Sequence, residues 1–328
     1  MKACIYGAGA IGSWIGSGLA RASVDVSMVA RGATLAALQQ HGLRLNQGGQ
    51  TVAHKVSCSA EPAGLGIQDL VVLSVKAPSL PEVVRHIAPL VGPNTMVLTA
   101  MNGVPWWFLQ GFGGALAGQR LTSVDPRGDI AAAIPAQHVI GGVVHASCSM
   151  DAPGLVRHHF GNKLIIGEPS GQKTDRAVQL AALLEKAGFE TLLSSQIQKD
   201  IWFKLWGNMT INPISALTGA TTDLILQDDL VRAFISSAML EAKEIGARMG
   251  IAVDQQPEDR HAVTLKLGAF KTSMLQDVEA GRAIELDALV SSVRELGALT
   301  GVVTPFTDAL LGLARLHGRV RGIYASAS

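Results

Sequence analysis

Residues 199–213 read Lys-Asp-Ile-Trp-Phe-Lys-Leu-Trp-Gly-Asn-Met-Thr-Ile-Asn-Pro. Lys204, Asn208 and Asn212 recur every fourth residue, so a helix would stack them on one face. A lysine and two amides in an otherwise apolar stretch are costly to bury unless they bind each other or a ligand. A positioned ammonium can stabilise negative charge growing on an oxygen and then supply a proton. Asn212 also has a plainer reading. Pro213 disfavours helix at its predecessor and suits the first turn of a helix, so Asn212 can cap the next one. Further on stand Ser273 and Glu285, with Gly281 between them expected to close a helix. The pair would then lie on consecutive helices and could approach one site. Taken singly, they read as a surface hydroxyl and a first-turn helix acid.

The second group of chemical interest opens the chain. Gly7-Ala8-Gly9-Ala10-Ile11-Gly12 follows a short apolar run, Lys2–Tyr6, and precedes a helical pattern reaching about Ala22. In that context a G-x-G-x-x-G turn binds a dinucleotide. Gly7 permits the turn, Gly9 lets the backbone approach a pyrophosphate, and Gly12 lets helix pack on sheet. The helix N-terminus, with the backbone of Ala10 and Ile11, attracts phosphate. Val24–Val29 reads as the next strand and ends at Ala30-Arg31. An acid there would bind the 2′-hydroxyl of NAD, whereas the Arg31 guanidinium suits the 2′-phosphate of NADP. Lys76 and Asn102 each stand just beyond the C-terminal end of an expected central strand, the edge where such sheets bind ligands. Alone, each also reads as a loop lysine or a turn residue before Gly103.

The elements that must position these groups alternate strand and helix. Asp69–Val75 is a continuous apolar run typical of a buried parallel strand, residues 78–90 look helical, and Met96–Thr99 is another strand. From Val139 onward, Val139–Cys148, Gly154–Val156 and Leu164–Ile166 are short β-like pieces that fit antiparallel additions. A helix at Thr174–Ala187 and a strand at Glu190–Leu193 follow. Beyond Ser195 the strands stop. Helices are expected at 197–206, 213–218, 230–249, 262–280, 285–300 and 305–316. The fold class is therefore α/β, an N-terminal Rossmann-type doubly wound parallel sheet followed by an all-α C-terminal domain. The domains expected are 1–195, which binds the dinucleotide, and 196–328, which is helical.

Composition narrows the classes. The chain has 328 residues, 48% hydrophobic and 16% charged. Its mean hydropathy is +0.29. Intrinsic disorder is excluded. Lys+Arg number 27 against Asp+Glu 26, a net charge of +1, so a nucleic-acid binder working by bulk charge is excluded too. No apolar run approaches the roughly 20 residues of a membrane span, and no signal-peptide pattern opens the chain. The three cysteines, Cys4, Cys58 and Cys148, lack disulfide or zinc spacing and are expected to be buried, reduced thiols of a cytoplasmic protein. No metal site is expected. The apolar excess of the last helices, such as Leu310, Leu311, Leu313 and Leu316, would suit a homodimer interface.

Taken together, these segments resemble the ketopantoate reductase (2-dehydropantoate 2-reductase) family. The family pattern is a glycine turn, a lysine after a central strand, Asn-Gly after the next, K-x3-N-x3-N-P, and a late S-x11-E pair. Here these are Gly7/Gly9/Gly12, Lys76, Asn102-Gly103, Lys204/Asn208/Asn212-Pro213, and Ser273 with Glu285. The resemblance runs the length of the chain, and the lysine–asparagine segment is its most specific part. It implies a Rossmann domain, an all-helical domain and an active site in the cleft between them. It implies reduction of ketopantoate, a 2-keto acid, to pantoate by NADPH, for pantothenate and coenzyme A synthesis. By the same resemblance Lys204 is the general acid and Glu285 the acid near the substrate. Asn208, Asn212 and Ser273 become substrate-binding positions, and Lys76 and Asn102 bridge cofactor and substrate.

Val104-Pro105-Trp106-Trp107-Phe108 departs from the pattern and would shape or cover the pocket. The 147–154 segment is also distinctive. These departures leave a rival reading, a paralogous NADP-dependent oxidoreductase acting on another 2-keto or 2-hydroxy acid. A third reading, a non-catalytic NADP-binding sensor, would predict a degraded site.

Overall fold

The computed structural model describes residues 1–324. The chain divides into two compact units, Met1–Met101 with Gly128–Asp200, and Asn102–Arg127 with Ile201 onward.

The first unit is built on ten strands: β1 (Lys2–Tyr6), β2 (Asp25–Val29), β3 (Leu43–Gln47), β4 (Gln50–His54), β5 (Ser57–Ser59), β6 (Gln68–Leu73), β7 (Val91–Thr99), β8 (Val139–Ala152), β9 (Leu155–Gly167) and β10 (Glu190–Leu193). The strand order is β4-β3-β9-β8-β7-β6-β1-β2-β5, with β10 also paired to β9. The run β5-β2-β1-β6-β7-β8 is parallel throughout, the arrangement of a dinucleotide-binding sheet. Its crossovers carry α1 (Ala10–Arg21), α2 (Gly32–His41), α3 (Leu80–His86) and α4 (Asp129–Ala133), and α5 (Asp175–Lys186) leads into β10. Ile5, Leu70, Val72 and Leu98 pack from the strands against Ile15 and Leu19 of α1.

The sheet is mixed rather than wholly parallel. β8 and β9 form a long bulged antiparallel hairpin, and β3 and β4 form another, unexpected from the sequence. The local signature of the second is the Leu43-Arg44-Leu45-Asn46 alternation and the Gly48-Gly49 turn, both glycines at positive φ. The helix expected over 78–90 is broken. Pro78, Pro81 and Pro89 confine it to α3, flanked by the 3₁₀ turns Ala77–Ser79 and Ala88–Leu90. Of the cysteines only Cys4 is fully buried.

The second unit is helical: α6 (Ile197–Thr218), α7 (Thr222–Gln227), α8 (Asp229–Arg248), α9 (Pro257–Leu265), α10 (Ser273–Glu279), α11 (Ser292–Thr300) and α12 (Pro305–Val320). A π-helical turn, Asp287–Ser291, runs into α11. The helix expected over 262–280 is split into α9 and α10, with Gly268 at φ +63° between them. Trp202, Leu205, Trp206, Met209, Ile211 and Ile214 are buried, so α6 is apolar nearly all round, as a central helix must be. At Gly246 of α8 an added Cβ would lie 2.5 Å from Trp202 Nε1, and Trp206 Nε1 donates to the Met239 carbonyl at 2.7 Å. The helices at 197–206 and 213–218 are one. Pro213 lies inside α6 and forfeits a single backbone bond. Asn212 therefore caps no helix.

Residues 102–127, which the sequence places in the first domain, cluster with the helical unit. Phe108 packs on Trp202 with centroids 6.1 Å apart, and Glu295 of α11 accepts from the backbone N–H groups of Thr122 and Ser123. Trp106, Trp107 and Phe108 are core residues and anchor this segment.

Candidate active site

In the first unit, the turn between β1 and α1 is shaped by its glycines. Gly7 has φ +111°, and a Cβ there would meet the Val75 backbone nitrogen at 2.9 Å. A Cβ at Gly12 would lie 2.2 Å from both the Gly7 carbonyl and Ser74 Oγ, which itself donates to that carbonyl at 2.9 Å. Gly9 faces nothing within 4 Å. Open space in front of a helix N-terminus whose first turn holds no acid is what a pyrophosphate requires. Ala10 and Ile11 form that first turn. Beside it lies a cavity of about 260 Å³, lined among others by Tyr6, Gly7, Val29, Arg31, Thr34 and Glu82. These residues fit the adenosine half of a dinucleotide.

Arg31 stands at the N-cap of α2, exposed, and forms an ion pair with Glu82 of α3. The Glu82 hydrogen bond pushes the Arg31 pKa up. No acid follows β2 in sequence, yet the fold supplies one, 51 residues away. Nothing in local spacing could have revealed Glu82. Lys76 is half-buried, directly after Val75, at the C-terminal edge of the parallel strands.

The second unit gathers the other candidates. Lys204 on α6 donates from Nζ to Asn102 Oδ1 at 2.8 Å. Asn102 is held by its neighbours. Gly103 has φ +81°, and a Cβ there would strike the Ala288 carbonyl oxygen at 2.4 Å. Val104 N–H donates to that same carbonyl at 2.8 Å. Ala288 belongs to the π-helical turn, and Glu285 precedes it, buried, its carbonyl accepting from Leu289 N–H. Helical distortions of this kind recur at functional sites.

Burial draws the Lys204 ammonium down from 10.5 to about 8; Glu285 pulls it back up, and Arg260 of α9 pushes it lower. The attraction identifies Glu285 as the acid that helps keep Lys204 charged. Arg260 was not legible at sequence level. Because α6 is continuous, Asn208 and Asn212 share the face of Lys204. Asn212 is buried and Asn208 half-buried. Ser273 is the exposed first residue of α10, whose N-cap is Thr272. Glu285 sits just before its helix, not within the first turn. Among the described residues no cluster of three or more metal-ligating side chains occurs, and no helix is long and apolar enough to cross a membrane.

An ammonium of lowered pKa, oriented by an amide and sensed by a buried carboxylate, can polarise a carbonyl and deliver a proton. Residues 3–110 match the model of the family Ketopantoate reductase PanE/ApbA, and residues 196–318 match that of its C-terminal domain. A 2-dehydropantoate 2-reductase of Mesorhizobium japonicum is 47% identical over 99% of this chain and 100% of its own. A crystal structure from Ralstonia solanacearum MolK2 is 54% identical, with a TM-score of 0.95, covering 98% of this chain and 99% of that one. The structure of a 2-dehydropantoate 2-reductase from Geobacter metallireducens GS-15 is 27% identical, with a TM-score of 0.85, covering 96% and 99%.

Proposed function

The chain belongs to the ketopantoate reductase family, and from that premise we propose that it reduces 2-dehydropantoate to pantoate with NADPH. The family is nicotinamide-dependent. The observation that carries the reading is the Lys204 ammonium, bonded to Asn102 and drawn by burial to about 8.

The bound nicotinamide would supply a hydride to C2 of the keto acid. The Gly7–Gly12 turn, with Ala10 and Ile11, would hold its pyrophosphate, and Arg31 the 2′-phosphate. Hydride addition leaves an electron pair on the carbonyl oxygen. Lys204 donates a hydrogen bond to that oxygen as charge grows and then transfers its proton to it, giving the hydroxyl. Asn102 orients the Lys204 Nζ, and Glu285 favours its charged state. Asn208, Asn212, Ser273 and Lys76 are assigned polar contacts with substrate or cofactor, and the sheet unit and the helical unit the binding of cofactor and substrate respectively. The same reading carries a cytoplasmic enzyme and a homodimer. For the latter, Leu313, Leu316 and Val320 stand exposed along one stripe of α12, while Leu310 and Leu311 are buried.

The test mixes purified protein with NADPH and ketopantoate and follows loss of reduced-nicotinamide absorbance, with NADH in parallel. Rapid NADPH oxidation abolished by Lys204→Ala supports the proposal. Unchanged turnover in that variant sinks the role of Lys204. Tight NADPH binding without turnover redirects the assignment to another 2-keto acid.

A further inference from the structure

Arg260 stands on α9, outside every motif that carries the family resemblance. Its guanidinium carbon lies 5.3 Å from the centre of the Phe203 ring, and its Nε is buried without a hydrogen-bond partner. A Cβ at Gly207 would come within 2.7 Å of that Nε. Phe203 and Gly207 are one turn apart on α6, so the helix omits a side chain where the guanidinium passes. Both flank Lys204, whose ammonium senses Arg260 as a repelling charge.

Burial alone lowers the pKa of Arg260, with no carboxylate acting in the other direction. Among the described residues no ion pair includes it. A partly desolvated guanidinium without a counter-ion is costly, and a ring face offsets only part of that cost. The charges Lys204 senses are Glu285 and Arg260. With Lys204 itself they sum to one positive charge, which suits a monoanion.

We infer that Arg260 binds the carboxylate of the 2-keto acid and thereby sets the preference for anionic over neutral ketones. This rests on the reductase reading above. The planar fork of a guanidinium matches a carboxylate with two parallel hydrogen bonds. An anchor one turn along α6 from Lys204 would leave the adjacent carbonyl for that lysine to engage.

Steady-state kinetics of wild type, Arg260→Gln and Arg260→Lys would be compared on ketopantoate and on its uncharged lactone. In Arg260→Gln the KM for the acid is expected to rise roughly 100-fold, as for loss of one partner of a desolvated charge pair. The kcat and the KM for the lactone are expected to stay within about twofold, and Arg260→Lys to recover part of the loss. Equal weakening of acid and lactone, or no change in either, would overturn the inference. Calorimetric titration of the same NADP⁺-loaded proteins with oxamate, a non-reducible 2-keto acid mimic, reads binding without turnover. An inactive wild type overturns the proposed reaction, and the oxamate titration then decides the role of Arg260. Binding lost only in Arg260→Gln supports the carboxylate site, whereas binding that is equal or absent throughout removes it.

Discussion

Lys204 Nζ and Asn102 Oδ1 meet at 2.8 Å although the two residues are 102 positions apart in the chain. The bond joins the central helix α6 to a loop clamped on the Ala288 carbonyl by Gly103 and Val104. The ammonium thus has a fixed acceptor, and the acceptor a fixed backbone. Replacing Lys204 by Ala should cut kcat roughly 10²- to 10⁴-fold, the usual contribution of a general acid. NADPH affinity, read by fluorescence titration, should be unchanged.

The clamp can be tested by itself. Gly103→Ala would force a side chain into φ +81° and against a backbone oxygen at 2.4 Å. Stability should fall by about 1–3 kcal/mol, and the displaced Asn102 should lower kcat by roughly tenfold or more. Thermal melting and kcat together check this. A destabilised variant with normal kcat would show that the clamp supports the fold but does not position the lysine.

Lys204 also sets a pH dependence. Its proton is the one delivered, so reduction should be constant at low pH and decline as pH rises through about 8. Glu285 raises that pKa, so Glu285→Gln should move the descending limb to lower pH. The kcat/KM profile for ketopantoate measures both. The stability sign is the reverse of an ion-paired lysine. Because the folded pKa lies below the ordinary 10.5, the buried ammonium costs stability below about 8, and the cost is relieved as pH rises toward 10.5.

Arg31 is already engaged by Glu82, and both side chains are 53% exposed. A pair so exposed is worth little, about 0–1 kcal/mol, so a 2′-phosphate can displace it. Glu82→Gln should lower the KM for NADPH by a few-fold by freeing the guanidinium. Arg31→Ala should raise that KM by roughly tenfold or more, losing a charge-assisted contact, and leave NADH kinetics little changed. A stronger effect of Arg31→Ala on NADH than on NADPH would argue against a 2′-phosphate contact.

Much of this protein is written in short-range pattern. The glycine turn, the apolar central strands and the four-residue recurrence of Lys204, Asn208 and Asn212 each follow from local steric or periodic rules, and such rules act within a few residues. They place Gly7 and Gly12 and space the lysine and its two asparagines for one helix face, although Pro213 by local rules would leave Asn212 as a cap. The tertiary structure alone decided which distant groups meet them. It brought Glu82 to Arg31, Asn102 to Lys204 and Arg260 to Gly207, none of which any local spacing encodes. It carried helix α6 through Pro213, because burial of Met209, Ile211 and Ile214 outweighs one missing backbone bond. It also moved residues 102–127 into the helical unit, where Phe108 packs on Trp202. Contacts between remote segments depend on the summed packing of whole elements, and no short stretch of sequence carries that sum.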